Sequence, residues 1–519
     1  MNGAAALLGS LRAAGLTVCF ANPGTSELHL VAALDSTPGV RGVLCLFEGV
    51  ATGAADGYAR MAGQPAATLL HQGPGLANGL ANLHNAQRAR TPVVSLVGAS
   101  TTEHRALDAP LESDVAAVAA PFSRWVRMAE AARTIGEDAV AAVRAAQRAP
   151  HGVATLIVPS DVAWAEGARM AEPGPAPSAP PVPAGELGRV ADLLRRGAAV
   201  TLLLGGAALR HDGLAAAAKI GAATGIRVMA ETFPARLERG IGVAPVERLA
   251  ADVERARRQL SGTGRLVLVD SVPPVAAFGS PGARGELTPP GCVVDRLGAP
   301  GEDVAAALEE LAGVLAPGVR AHPAAPLVRS KPLTGSRFTL ASIGKVIAAQ
   351  LPEGAVVVDE ANTSGPDLVS ALEAAPRHDL LSLCGFAIGE GLPLSIGAAL
   401  ACPARPVICL QADGSAMYSI SALWTQARER LDVTTLVLNN RGYAILRAAE
   451  RRLRDGNPGS SPLFDVADPE LDFVAISTGM GVPAARARTA DELGDHLAWA
   501  MAEAGPHLIE VVLAGEDPR

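Results

Sequence analysis

Two polar residues stand at the exits of two apolar runs late in the chain: Asp413 after PVICLQA, and Asn440 closing VTTLVLNN, 27 positions on. A carboxylate oxygen and an amide oxygen are hard ligands suited to Mg²⁺ or Ca²⁺. Mg²⁺ characteristically takes one or two protein side chains and completes its shell with phosphate oxygens and water. Gly414 and Ser415, which open the next segment, leave backbone N–H groups free to meet a phosphate in the field of a helix N-terminus. Taken singly, Asp413-Gly414 and Asn440-Arg441-Gly442 also read as two tight turns. Their placement argues otherwise: PVICLQ reads as a strand, YSISALWTQARER as a helix of about three turns, and VTTLVLNN as the next strand. Such a crossover of about thirty residues lays two parallel strands side by side. Asp413 and Asn440 then leave one sheet edge toward a common point.

A second group of candidates lies near the N-terminus. Glu48 follows the apolar run VLCLF and begins an alanine- and glycine-rich stretch, where it is either a buried acid or a carboxylate set against a helix dipole. His71 ends AATLLH ahead of Gly73-Pro74-Gly75, a loop that lets a ligand approach backbone closely. A neutral imidazole there is a general acid or base, or a structural histidine. In ANPGTSELHL, Asn22 and Gly24 shape a turn, and Thr25-Ser26-Glu27 is a good helix-capping signal in its own right.

The elements that must position these residues alternate short β-branched or leucine runs with alanine-rich helical stretches. VRGVLCLF, AATLLH, TPVVSLVGA and VATLIVP read as strands in the first third; AAVTLLLGG, GIRVMAE and GRLVLVDS in the middle; GAVVVDEA, PVICLQADG and VTTLVLNN in the last. Continuous apolar strands between helices imply parallel sheets covered on both faces, with ligands outside the strands' carboxyl ends. Proline-rich stretches at 171–188 and 316–336 read as linkers. The expected fold is α/β, with three doubly wound parallel-sheet domains at 1–165, 185–315 and 335–519. A chain of 519 residues, 49% hydrophobic and 18% charged, has the composition of a well-packed globular enzyme. A dispersed net charge of −8 argues against a nucleic-acid surface. Six scattered cysteines without a CxxC pair read as reduced thiols of a cytoplasmic protein. MNGAAALLGSLRAAG reads as an amphipathic first helix, and LLSLCGFAIGEGLPLSIGAALACPARPVICL, broken by Glu390, Gly and Pro, as an α/β interior with no membrane span.

Asp-Gly, about twenty-six residues and then Asn-Asn resembles the motif of thiamine diphosphate (ThDP) enzymes, and DGSAMYSISALWTQA resembles the benzoylformate decarboxylase branch, with acetolactate synthases further away. The usual first glycine of the motif is Ala412 here. The resemblance implies Mg²⁺ on Asp413, Asn440 and the Gly442 carbonyl. It also implies cofactor contacts from Glu360, Asn362, Thr363, Ile388, Gly414, Ser415, Gly442 and Tyr443. Glu48 followed by a helix ending GYAR resembles the family's glutamate that drives the aminopyrimidine to its imino form. His71 falls at a histidine of the benzoylformate decarboxylase branch, and Thr25 where that branch has a serine touching substrate carboxylate. The implied activity is decarboxylation or carboligation of a 2-oxo acid through a ThDP enamine, in a homodimer or homotetramer with active sites between subunits. LVDSVPPVAAFGSPG holds Phe278 and no histidine where that branch has a second one, and Phe278 is a candidate acyl-pocket residue. GGAALRHDG is only a Gly-Gly strand exit, so FAD is not assigned. An FAD-containing synthase or oxidase, or a catalytically degenerate binding subunit, are the alternatives.

Overall fold

Apolar strands of five to seven residues (Ala66–Leu70, Val93–Ala99, Val153–Pro159, Val407–Ala412, Val433–Asn439) are buried along almost their whole length. Strands of this kind pair in parallel with helices on both faces. The computed structural model describes residues 1–175, 178–197, 199–279, 281–321, 338–453 and 461–513, and has three such sheets. Residues 322–336 of the second expected linker lie outside the described residues.

The first sheet joins β1 (Val18–Asn22), β2 (Arg41–Leu44), β3 (Ala66–Leu70), β4 (Val93–Ala99), β5 (Trp125–Met128) and β6 (Val153–Pro159) in the order β2-β1-β3-β4-β6-β5. The middle sheet joins β7 (Val200–Leu204), β8 (Arg227–Ala230), β10 (Glu247–Arg248), β11 (Arg265–Val269) and β12 (Val293–Arg296) in the order β10-β8-β7-β11-β12. Between β8 and β10, the short β9 (Leu237–Arg239) instead pairs antiparallel with β14 (His378–Ser382). The last parallel set joins β13 (Val356–Glu360), β15 (Val407–Ala412), β16 (Val433–Asn439), β17 (Ala484–Ala487) and β18 (His507–Val512) in the order β17-β18-β16-β15-β13. By contacts the chain divides into two units. One is Met1–Pro177 with Arg329–Leu372 and Leu383–Arg519; the other is Ser178–Val328 with Glu373–Ser382.

Inside the first unit, helices Glu48–Ala62 and Gly391–Ala401 touch backbone to backbone. A Cβ built on Gly397 would stand 1.9 Å from the Ala54 carbonyl oxygen, and one on Gly57 would stand 2.0 Å from that of Leu394. Only glycine fits there. The first helix is Gly3–Ala13, with Asn2 accepting from the Ala5 N–H at its start. Among the described residues no helix is long and apolar enough to cross a membrane.

Two elements differ from their expectation. Gly73-Pro74-Gly75, read as a loop, lies in the first turn of helix Gln72–Arg88. The helix after Asp413 covers only Ala422–Glu429, and Tyr418 to Ser421 form a run of i→i+3 turns before it. Ser419, Ile420 and Ser421 carry the cause: serines compete for backbone hydrogen bonds, and β-branched isoleucine loses rotamer freedom in a helix.

Candidate active site

Register decides which polar groups leave the sheet together. Ala412 on β15 pairs with Leu438 on β16, so Asp413 and the two asparagines sit at adjoining exits. Neighbouring strand residues face opposite sides, which separates the two amides. Asn439 is buried and donates to Glu510 Oε1 at 2.7 Å, a packing role. Asn440 turns to Asp413's side. The Gly442 N–H lies 3.0 Å from Asn440 Oδ1 and 3.3 Å from Asp413 Oδ2, so both oxygens converge on one donor. Asp413 Oδ2 also accepts from the Arg441 N–H at 2.7 Å, and Oδ1 from the Gly414 N–H at 2.7 Å. Burial pushes the Asp413 carboxyl above the ordinary carboxylate range, and these backbone donors pull it back.

A carboxylate oxygen, an amide oxygen and the neighbouring Gly442 carbonyl form a donor set of the kind that suits a Mg²⁺ ion carrying a diphosphate. Among the described residues no cluster of three or more His, Cys, Asp and Glu side chains has metal-binding geometry. Ser415 accepts from Gln411 Nε2 at 2.8 Å and from Asn362 Nδ2 at 3.4 Å. Asn362 and Thr363 lie in the short turn Asn362–Ser364, with Asn362 at a left-handed φ of 50°. The Tyr443 ring lies against Gly414, where a Cβ would come within 2.7 Å of it. Ile388 is half-buried in the segment leading into helix Gly391–Ala401.

The N-terminal group is equally definite. Glu48 is the first residue of its helix and 8% exposed, two positions after Leu46, which is 50% exposed. Its Oε2 accepts from Asn78 Nδ2 at 3.1 Å, and Gly75 leaves room for Oε1, which a Cβ there would approach to 3.0 Å. Asn78, Asn82 and Asn85 share one face of helix Gln72–Arg88. Asn82 donates to the Gly49 carbonyl at 2.8 Å; Asn85 donates to the Ala387 carbonyl at 2.8 Å and accepts from its N–H at 3.2 Å. These contacts tie Glu48's helix and the Ile388 segment to the same element. The i, i+4, i+7 spacing of the three asparagines was the sequence signal for that face.

His71 caps helix Gln72–Arg88, and its Nδ1 lies 2.8 Å from Glu27 Oε2. That oxygen also accepts from the Gly24 N–H at 2.8 Å, so His71 donates from Nδ1 and presents Nε2. Glu27 is fully buried, its other oxygen has no hydrogen-bond partner, and burial pushes its carboxyl upward. A Cβ on Gly24 would fall 2.3 Å from His71 Nδ1, so the glycine is needed for the ring to reach its partner. Thr25 is exposed and begins the turn Thr25–Glu27 without capping it; Gly24 takes the cap position, and Glu27 reaches back to its N–H. Glu27, read from sequence only as part of a helix cap, is therefore the residue that orients His71.

Glu360, which the resemblance sets at the diphosphate, faces the Gly389 and Gly391 amides. It is buried and accepts from the N–H groups of Gly389 and Gly391, and from Gln411 Nε2 at 3.3 Å. Next to it Arg60 donates to Asp56, and to Glu390 at 3.1 Å, in the interior. Burial pushes the Glu390 carboxyl well above its ordinary range, and the Arg60 guanidinium pulls it back. In the second unit, Phe278 is 69% exposed. There the Ala207 N–H after the Gly205-Gly206 strand exit donates to Asp270 Oδ2 at 3.2 Å.

Comparison with known proteins agrees with this geometry. Residues 1–118 match the family described as thiamine pyrophosphate enzyme, N-terminal TPP binding domain, and residues 368–511 its C-terminal TPP binding domain. The chain is 54% identical over 517 residues to "Putative acetolactate synthase large subunit IlvX" of Mycobacterium tuberculosis, covering 99% of each. It is 31% identical to benzoylformate decarboxylase of Pseudomonas aeruginosa, covering 96% of this chain and 97% of that one. Among solved structures, the thiamine diphosphate-dependent 4-hydroxybenzoylformate decarboxylase of Rhodococcus jostii superposes with a TM-score of 0.86 at 25% identity, covering 100% of both chains. The chain belongs to the thiamine pyrophosphate enzyme family.

Proposed function

We propose that this enzyme is a ThDP- and Mg²⁺-dependent 2-oxo acid decarboxylase or carboligase. The observation that carries the reading is the convergence of Asp413 Oδ2 and Asn440 Oδ1 on one backbone N–H at adjoining strand exits. In this reading Asp413, Asn440 and the Gly442 carbonyl hold Mg²⁺, and Gly414 and Ser415 line the diphosphate, with the Gly414 N–H held by Asp413 Oδ1. Asn362, Thr363 and Tyr443 line that end, and Ile388 would contact the cofactor. Bound ThDP supplies a carbon nucleophile and an electron sink for the loss of CO₂ from a 2-oxo acid.

The chain's own residues do the rest. Glu48, held by Asn78, exchanges a proton with a ring nitrogen of the cofactor. His71, fixed through Nδ1 by Glu27, offers Nε2 to a proton on the substrate oxygen or carbon. Thr25 is exposed beside it and is the candidate partner for substrate carboxylate. The names of the relatives support a 2-oxo acid as substrate, and their family supports a homodimer or homotetramer with active sites between subunits. The segments 1–165, 185–315 and 335–519 then act as pyrimidine-binding, middle and diphosphate-binding domains.

The test is to load the protein with ThDP and Mg²⁺, present a panel of 2-oxo acids and follow CO₂ and carbonyl products by mass spectrometry. Turnover of at least one acid is expected, with Glu48→Gln slower by orders of magnitude. A ThDP-loaded protein inert to the whole panel, or a fully active Glu48→Gln variant, refutes the reading.

A further inference from the structure

Glu360 closes a buried hydrogen-bond chain with no counterpart in the roles assigned above. Its two carboxylate oxygens accept separately from the N–H groups of Gly389 and Gly391, which bracket Glu390 directly after Ile388. Gln411 Nε2 donates both to Glu360 Oε2, at 3.3 Å, and to Ser415 Oγ, at 2.8 Å. Ser415 stands two residues after Asp413. One continuous path therefore runs from the turn that would receive the diphosphate to the loop that carries Ile388.

The steric evidence is independent of these bonds. A Cβ on Gly391 would fall 2.4 Å from Gln411 Oε1 and 2.9 Å from the Glu360 side chain. Gly389 sits at φ 95°, and a Cβ there would strike Tyr418 at 2.5 Å. From the other side Asn85 grips the Ala387 N–H and carbonyl. The loop is thus held on one side by an amide and on the other by a carboxylate spanning two N–H donors.

We propose that Glu360 is a positioning residue: its carboxylate sets the height of the Ile388 loop relative to the Ser415 turn, and so sets the shape of the site that would receive the cofactor. This rests on the ThDP reading above. Other charged or titratable groups around it are Glu390, with Arg60 and Asp56 behind it, and Cys409 and Asp359 on the strands. Two N–H donors aimed at one side chain require an acceptor on each arm. A glutamine offers an acceptor on one arm and a donor facing a donor on the other.

The experiment uses the full-length chain with Glu360→Gln, and Ile408→Ala as a control for general loss of stability, since Ile408 is a buried β15 residue outside this chain of bonds. Amide hydrogen exchange of the segment containing Gly389 and Gly391 is read without cofactor, and ThDP affinity is read by calorimetry with Mg²⁺. Glu360→Gln is expected to speed exchange in that segment and to weaken ThDP binding about tenfold or more, the loss of one hydrogen bond to a charged group. Ile408→Ala is expected to leave both readouts near the wild type. Unchanged exchange and affinity in Glu360→Gln, or equal changes in the control, overturns the proposal. A wild-type chain that fails to bind ThDP sinks the functional reading instead, while the exchange result still tests the loop.

Discussion

Gly397→Ala tests whether the meeting of helices Glu48–Ala62 and Gly391–Ala401 holds the first unit together. A methyl group at this position would stand 1.9 Å from the Ala54 carbonyl oxygen and 2.3 Å from the Tyr58 nitrogen. Ordinary contact needs roughly 3.5 Å, so the helices must part by on the order of 1 Å. Both obstructing groups are backbone, and neither can rotate away. Overpacking of this kind costs about 1–3 kcal/mol, while replacing a helical glycine by alanine returns about 0.5–1 kcal/mol. The net expectation is a loss of up to about 2 kcal/mol, and a fall of about 1–3 °C in the unfolding midpoint for a unit of this size. Gly494→Ala is the matched control: its Cβ would lie 3.5 Å from Gln350 Nε2, ordinary contact, in helix Ala490–Ala502 of the same unit. That variant should melt at or slightly above the wild type. Circular dichroism melts of the three proteins decide the matter. A Gly397→Ala protein as stable as Gly494→Ala refutes the backbone-contact account.

Three further outcomes follow from the site. Glu27→Gln keeps an acceptor for Gly24 and His71 but removes the charge; kcat on an accepted 2-oxo acid should fall roughly tenfold, since a hydrogen bond to a charged group exceeds a neutral one by about 1 kcal/mol or more. Equal kcat in the two proteins would show that His71 is not oriented through Glu27. Asp413→Ala should abolish Mg²⁺-dependent ThDP binding, and calorimetry with unchanged affinity removes Asp413 from the ligand set. Burial pushes Glu360 up to about 7 from an unfolded value of 4.5. Between those values the native state holds a proton that the unfolded chain has released, so stability falls as pH rises through this window and levels off above it. The contribution is on the order of 3 kcal/mol. Without cofactor the wild type should therefore gain more stability than Glu360→Gln when moved from pH 7.5 to 5.5, and an equal gain in both contradicts the assignment.

The sequence made the parallel-sheet α/β fold readable because its strands are continuous apolar runs, and each run named from the sequence coincides with a strand. Asp413 and Asn440 were readable for the same reason: a residue's place at a strand exit is a local property. Glu27 was not, because its partner His71 is 44 positions away and its cap-like setting offered a sufficient local explanation. The contacts of Glu360 are not local either, since the glycine amides it faces come from a loop about thirty residues later. The asparagine face at 78, 82 and 85 is visible in the sequence as a helical period. The helix after Asp413 came out short because its serine-rich start favours turns, a balance that hydrophobic periodicity does not record.

The glycine contact between the two helices also has a consequence for biosynthesis. Gly57 and Gly397 are 340 positions apart, and the whole of the second unit's main segment is made between them. At ribosomal rates of about 5–20 residues per second, helix Glu48–Ala62 must wait roughly 20–70 s for its partner to appear. Through that interval the waiting face carries Gly53, Ala54 and Gly57, with little apolar area to attract other nascent chains. The small residues that allow the final close approach are also those least prone to aggregate while synthesis is incomplete.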